Sequence, residues 1–233
     1  LVNMGVSNII TFDAHDPRVQ NAIPLSGFES IMPTYQMLKA MCHTYDDLRI
    51  DKHHMMVISP DEGALNRNIY YSSAMGVDMG MFYKRRDYTR VVNGRNPIVA
   101  HEYLGDSVED KDVFVADDII ASGDSILDLA YNLKKRKAKR VFAGATFAFF
   151  TSGLEAFDKA YSEGIIDHVF ATNLTYTPKE VLDRPWFSQA DMSKYMAFVI
   201  ATLNHDQSLS YLLNPWNRIE KLLTKYRAEH PND

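Results

Sequence analysis

The sequence predicts an α/β fold, a parallel sheet flanked by helices, and three observations carry that expectation. Short apolar runs rich in β-formers alternate with segments of helical periodicity. No fixed-period repeat and no low-complexity tract interrupts the alternation. An apolar share of 46% with 24% charged residues is that of a globular protein able to bury a core.

Taken in chain order, strands are expected at 8–12 (NIITF), 55–59 (MMVIS), 80–83 (GMFY), 113–116 (VFVA), 141–147 and 168–171 (HVFA). Helices are expected at 62–75, 125–136, 154–163, 192–204 and 215–227. In the second of these, Ile126, Leu127, Ala130 and Leu133 recur on one face. Segment 83–97 (YKRRDYTRVVNGRNP) is polar, carries five cations, and holds Asn-Gly and Asn-Pro turn signals. It is expected to be an exposed mobile loop or a hairpin flap. The basic run 134–140 (KKRKAKR) reads as cations offsetting a helix C-terminal dipole rather than as a nucleic-acid patch.

Composition also limits function. A formal charge of −5 argues against a broad nucleic-acid surface. A lone cysteine, Cys42, excludes an internal disulfide and thiolate zinc, and favours a reducing compartment such as the cytoplasm. The longest apolar run, 141–150, is half the roughly 20 residues of a membrane-spanning helix. The first residues carry no signal peptide and open within what reads as the end of a helix, so the chain is expected to be part of a longer protein.

The chemistry concentrates in 113–125 (VFVADDIIASGDS). A buried strand is expected to deliver Asp117 and Asp118 at an exposed C-terminal end. The turn Ala121, Ser122, Gly123, Asp124 and Ser125 then feeds a helix N-terminus, where free amides and hydroxyls favour a phosphate. Paired acids beside such a turn suit the vicinal hydroxyls of a ribose, directly or through a hard cation. Read blandly, the same residues are an Asp-rich strand end with Ser125 as a helix cap.

This stretch resembles the phosphoribosyl-pyrophosphate motif of type I phosphoribosyltransferases and their pyrophosphokinase relatives. Three further segments resemble the ribose-phosphate pyrophosphokinase family in particular. Segment 11–20 (TFDAHDPRVQ) is similar to its Asp-x-His-x-x-x-x-Gln signature, which implies that His15 lies at an ATP and magnesium site. Segment 59–63 (SPDEG) is similar to its Ser-Pro-Asp-x-Gly, which implies a magnesium-associated Asp61. Lys84 and Arg86, with Arg85 between them, look like its catalytic Lys-x-Arg at the root of a flexible loop. The likeness continues through 171–173 (ATN) and 204–213 (NHDQSLSYLL).

The resemblance implies a phosphoribosyltransferase-like fold in which 1–35 end an N-terminal domain, 36–213 form the C-terminal ribose-5-phosphate domain, and 214–233 add a tail helix. It implies Mg²⁺, ATP and ribose-5-phosphate as ligands, assembly into a homo-oligomer, and no membrane or nucleic-acid partner. Lys84 and Arg86 would stabilise transition-state charge, His15 and Asp61 would hold Mg-ATP, Asp117 and Asp118 the ribose hydroxyls, and Ala121 to Ser125 the 5-phosphate. Residues 1–233 alone are expected to bind ribose phosphate without forming phosphoribosyl pyrophosphate. Two rivals remain: a type I phosphoribosyltransferase, and a non-catalytic regulatory relative. Three departures from the family pattern stand out: 21–26 (NAIPLS) lacks acidic residues, Ala121 stands where Asp is common, and Asp124 where glycine is common.

Overall fold

Buried strands that alternate in which face they fill need helices on both sides, and the chain supplies them in order. A computed structural model describes residues 1–86 and 98–230. After a 3-10 turn at Val2–Met4 come β1 (Asn8–Phe12), a second 3-10 turn (Pro17–Ala22), β2 (Gly27–Ile31) and α1 (Thr34–Thr44). Then follow β3 (Met55–Ser59), α2 (Leu65–Met75), β4 (Asp78–Arg86), β5 (Ile98–Leu104), β6 (Asp112–Ile120) and α3 (Asp124–Lys135). The remainder is β7 (Arg140–Ala148), α4 (Glu155–Ser162), β8 (His168–Thr172), α5 (Lys179–Leu182), β9 (Phe187–Ala190), α6 (Ser193–Asn204), α7 (Ser210–Leu213) and α8 (Trp216–Glu229).

Seven strands make one sheet in the order β5-β4-β3-β6-β7-β8-β9, parallel throughout except for β5 at the edge. Successive residues of β3 and β6 go to opposite faces. Met56, Ile58, Val113 and Val115 meet α3 and α4 through Leu127, Leu133 and Phe157. Met55, Val57, Phe114 and Ala116 meet α1, α2 and α8 through Met37, Leu38, Met41, Tyr71, Met75 and Ile219. Helix α8, expected as a tail, therefore closes one layer of the main core. Its Tyr226 hydroxyl donates to the Tyr45 carbonyl at 2.8 Å, and Arg227 donates to the Ile50 and Met75 carbonyls. Among the described residues no helix is long and apolar enough to cross a membrane.

Three cations of the basic run at the end of α3 have partners within the fold, while Lys135, Lys137 and Lys139 are exposed. Lys134 pairs with Asp167 at 3.1 Å, Arg140 with Asp112 and Asp47, and the Arg136 guanidinium lies over the Phe82 and Tyr103 rings. Strands β4 and β5 run antiparallel, with Arg86 in register with Ile98. These are hairpin arms; residues 87–97, most of the expected flap, lie outside the described residues.

Strands β1 and β2 form a separate two-stranded parallel sheet. Phe12 and Ile31 pack there against Met192, Tyr195, Val199 and Leu212 from the returning C-terminal segment.

The main sheet reverses its winding between β3 and β6, the switch point at which open α/β sheets form a ligand crevice beyond the strand carboxyl ends. A buried asparagine keeps that crevice open. β3 pairs with β6 only as far as Val57 and Phe114. Beyond it, Asn68 of α2 takes the place of a strand: its amide donates to the Ala116 carbonyl at 2.8 Å and accepts from the Ala116 amide at 3.0 Å. Asn68→Ala would strand both buried groups, and unfolding by urea should show a loss of roughly 2–4 kcal/mol.

Candidate functional site

Each residue here is placed by the end of an element at the switch point. Asp61 follows β3, and its Oδ1 accepts from the Ala64 amide at 3.2 Å, shaping the turn into α2. That turn delays the helix to Leu65, three residues later than expected. His15 follows β1, Asp117 and Asp118 lie in β6, and Tyr83 ends the apolar part of β4. His15, Asp61, Asp117 and Asp118 all line one cavity of about 850 Å³, together with Arg18, Glu62, Arg67 and Tyr83. Four residues chosen from three separate motifs thus converge on one space.

The acid pair does not sit at an exposed strand end. β6 runs on to Ile120, because its outer half pairs with β7 as far as Ala148. Asp118 is buried as a result, while Asp117 is partly open to the cavity. Asp118 Oδ2 meets His15 Nδ1 at 2.8 Å. Arg67 Nη2 lies 3.6 Å from Asp118 Oδ1, and Nη1 lies 3.7 Å from Asp117 Oδ1.

These contacts split the two carboxyls. Burial, reinforced by the neighbouring Asp118, pushes Asp117 well above the usual carboxylate range. Burial acts on Asp118 in the same sense, but hydrogen bonds with Asp117 and His15 and the charge of Arg67 outweigh it, so it is held low. The pair therefore presents one firm carboxylate and one carboxyl that shares a proton more readily. Such a pair can accept from, and donate to, two neighbouring hydroxyls.

The hydrogen bond with Asp118, then its charge, raises the pKa of His15 above its ordinary value. Because the ionised carboxylate only accepts, Nδ1 carries a proton, and Nε2 takes no part in that contact on a largely exposed ring. Asp118→Asn is expected to lower the His15 titration midpoint toward that of a free histidine, read by NMR of the imidazole signals. An unchanged midpoint would show that the contact is not formed in solution.

Asp61 and the acid pair suit a hard cation that takes one or two carboxylates and fills its shell with phosphate oxygens and water. His15 is a poorer match, since such a cation prefers oxygen. Among the described residues no group of three or more His, Cys, Asp or Glu side chains could hold a metal by itself.

The Ala121–Ser125 turn lies just beyond, and its residues do not line the same cavity. It is pinned from β7's end, where the Thr151 amide donates to the Ala121 carbonyl and the Phe149 amide to the Ile120 carbonyl. Gly123 adopts φ +93 and precedes α3, whose first-turn amides have no helical acceptor. The Ser122 hydroxyl donates to Asp124 Oδ2 at 2.9 Å. The unusual acid in this turn is thus accounted for by a hydrogen bond within the turn.

Backbone placement of Lys84 and Arg86 is at the end of β4, one and three residues beyond cavity-lining Tyr83; their side chains lie outside the described residues. Two residues that sequence reasoning left unassigned stand out. Asp13, inside the histidine motif, and Arg67, six residues after Asp61, form a buried pair of which Arg67 lines the cavity, with Arg67 Nε 3.0 and 2.9 Å from the two Asp13 oxygens. Asp13 is the first residue of the Asp-x-His pattern, whereas Arg67 offered only a lone cation between Asn66 and Asn68, which spacing alone does not interpret.

Residues 30–174 match the phosphoribosyl transferase domain family. Ribose-phosphate pyrophosphokinase of Vibrio cholerae serotype O1 is 31% identical over 216 residues, 92% of this chain and 63% of that protein. Its counterpart in Chromobacterium violaceum is 27% identical over 215 residues, 92% of this chain and 60% of that protein. The crystal structure of phosphoribosylpyrophosphate synthetase from Mycobacterium smegmatis shares the fold with a TM-score of 0.69 at 19% identity, covering 88% of this chain and 61% of that one. The chain spans about three fifths of the length of these relatives.

Proposed function

The chain belongs to the phosphoribosyl transferase domain family, and from that membership we propose that it serves a ribose-phosphate diphosphokinase reaction. In this reaction the C1 hydroxyl of ribose-5-phosphate attacks the β-phosphorus of ATP. A C1–O–P bond forms, the bond between the α- and β-phosphoryl groups breaks, AMP leaves, and the hydroxyl proton is lost. The observation that carries the reading is the convergence of His15, Asp61, Asp117 and Asp118 on one cavity at the switch point. The similarity to named pyrophosphokinases over 92% of the chain supports it.

In this reading Asp117 and Asp118 hold the vicinal hydroxyls, and the amides of the Ala121, Ser122, Gly123, Asp124 and Ser125 turn hold the 5-phosphate. His15, when protonated at both ring nitrogens, donates to a phosphate oxygen through Nε2, and Asp61 with His15 would border Mg²⁺. Mg²⁺ when bound would neutralise and align the triphosphate oxygens. Lys84 and Arg86 approach the transferring group from the end of β4. Catalysis would rest on positioning and charge stabilisation, as phosphoryl transfer generally does.

For organisation, we propose that 1–35 represent the end of a second lobe and that 36–213, including the returning α6–α7 segment that packs against β1 and β2, form the sugar-binding lobe. Self-association and a cytoplasmic setting complete the proposal. The activity test is AMP release from ATP, ribose-5-phosphate and Mg²⁺, run on the full natural gene product and on residues 1–233 side by side. AMP from the former and none from the latter is the expected result. A type I phosphoribosyltransferase would instead consume phosphoribosyl pyrophosphate and a base without releasing AMP. A regulatory relative would bind ribose-5-phosphate with no turnover at any length.

A further inference from the structure

We infer that Arg67 is a positioning residue for the sugar site, holding Asp117 and Asp118 in place through its buried pairing with Asp13. The inference rests on the reading of Asp117 and Asp118 as ribose-hydroxyl ligands, and it adds a residue to that site.

The geometry of the guanidinium separates this role from an ordinary salt bridge. The Nε side of Arg67 and its Nη2 are spent on Asp13, at 2.9–3.0 Å. That pairing alone would satisfy a structural bridge. Yet Nη1 also faces Asp117 at 3.7 Å, and the same Nη2 lies 3.6 Å from Asp118, in range for charge attraction but too long for a hydrogen bond. Side-chain exposure is 9% for Arg67, 4% for Asp13 and 7% for Asp118, so little water screens these three, while Asp117 is 31% exposed toward the cavity. Arg67 thus stands among the carboxylates of Asp13 and Asp118 and the proton-sharing Asp117, and it lines the cavity together with the acid pair.

Asp13 is itself held with care. Its backbone sits at φ +43, a left-handed value that costs a non-glycine residue energy and persists only where the surroundings enforce it. One carboxylate oxygen also accepts from the Thr146 hydroxyl at 2.6 Å. Thr146 lies on β7, so the Asp13–Arg67 couple ties the end of β1, helix α2 and the two central strands together beneath the cavity. His15, two residues after Asp13, meets Asp118 from the other side. Without Arg67, the buried Asp13 and Asp118 lose the cation between them, and the acid pair loses the geometry that two adjacent hydroxyls require. A side chain acting through ligands in this way commonly changes affinity ten- to a hundredfold.

The test is calorimetric titration of residues 1–233 with ribose-5-phosphate in Mg²⁺, for the unaltered chain, Arg67→Met, Arg67→Lys, Asp117→Asn and the Arg67→Met/Asp117→Asn double variant, each checked by circular dichroism. Arg67→Met should weaken binding roughly ten- to a hundredfold with the fold retained, and Arg67→Lys, which keeps the charge but not the fork, should recover part of the loss. On the Asp117→Asn background the Arg67→Met loss should shrink severalfold, because the two residues act as one unit. A purely structural arginine would lower the melting temperature and leave affinity, or the additivity of the two changes, intact; that result overturns the inference. Should Arg67→Met fail to fold, Arg67→Lys decides, and wild-type affinity in it overturns the inference. Absence of binding by the unaltered chain would instead remove the sugar-site reading on which the inference stands.

Discussion

Lys84→Ala or Arg86→Ala is expected to slow AMP release roughly 10²–10³-fold, the usual cost of losing one preorganised donor to developing charge. Affinity for ribose-5-phosphate should stay within about twofold, because the acids and the turn assigned to the sugar lie on β6 and in the turn leading into α3, with β3 between β6 and β4. The placement argues for a late role. Tyr83 lines the cavity, so the chain leaves it at the root of the β4–β5 hairpin, where cations can close over a transferring group. Arg85 lies between them in sequence and is expected to matter less. Equal loss of sugar binding and of rate would place these residues in ground-state binding, and no loss would remove them from the site.

Gly123→Val should be the most damaging single change to the turn. At φ +93 any side chain is strained, and a Cβ there would stand 2.2 Å from the Phe157 ring. Phe157 cannot yield: it is fully buried and stacked on Trp186 at 5.2 Å, with Phe150 edge-on to it. Backbone strain and overpacking together should cost roughly 3–5 kcal/mol of unfolding free energy, and the N-terminus of α3 should move away from the geometry proposed to hold the 5-phosphate. The readouts are the urea midpoint and phosphate affinity. A variant with the wild-type midpoint would show that the turn and the aromatic cluster are not in contact in solution.

What was legible in the sequence follows from where each signal lives. β1 and β3 lie where the apolar runs placed them, and α3 and α6 are shifted by about a residue, because their own residues carry the periodicity. Strand β2 (GFESI) was missed: it is short and mixed in polarity, and pairing with β1 is what makes it a strand. Helix α1 was also missed, although Pro33 before it and the buried Met37, Leu38 and Met41 gave a usable pattern. β6 was expected to stop at Ala116; its continuation through the acid pair depends on β7, a partner no local window contains.

The site divides in the same way. His15, Asp61 and the acid pair were legible because each stands in a recognisable motif directly after or within a strand. Arg67 was not, since its partners Asp13, Asp117 and Asp118 come together only through the fold. The motifs also gave no warning that Asp118 is buried, which changes what a substitution there measures: Asp118→Asn should disturb folding as well as binding, whereas Asp117→Asn is the cleaner probe.

The most direct measurement of the central claim is therefore calorimetric titration of residues 1–233 with ribose-5-phosphate in Mg²⁺, beside Asp117→Asn. The account predicts saturable one-site binding by the unaltered chain and a loss of roughly tenfold or more in Asp117→Asn, with the unfolding midpoint nearly unchanged. Equal affinity in the two proteins, or no binding by the unaltered chain, would contradict it.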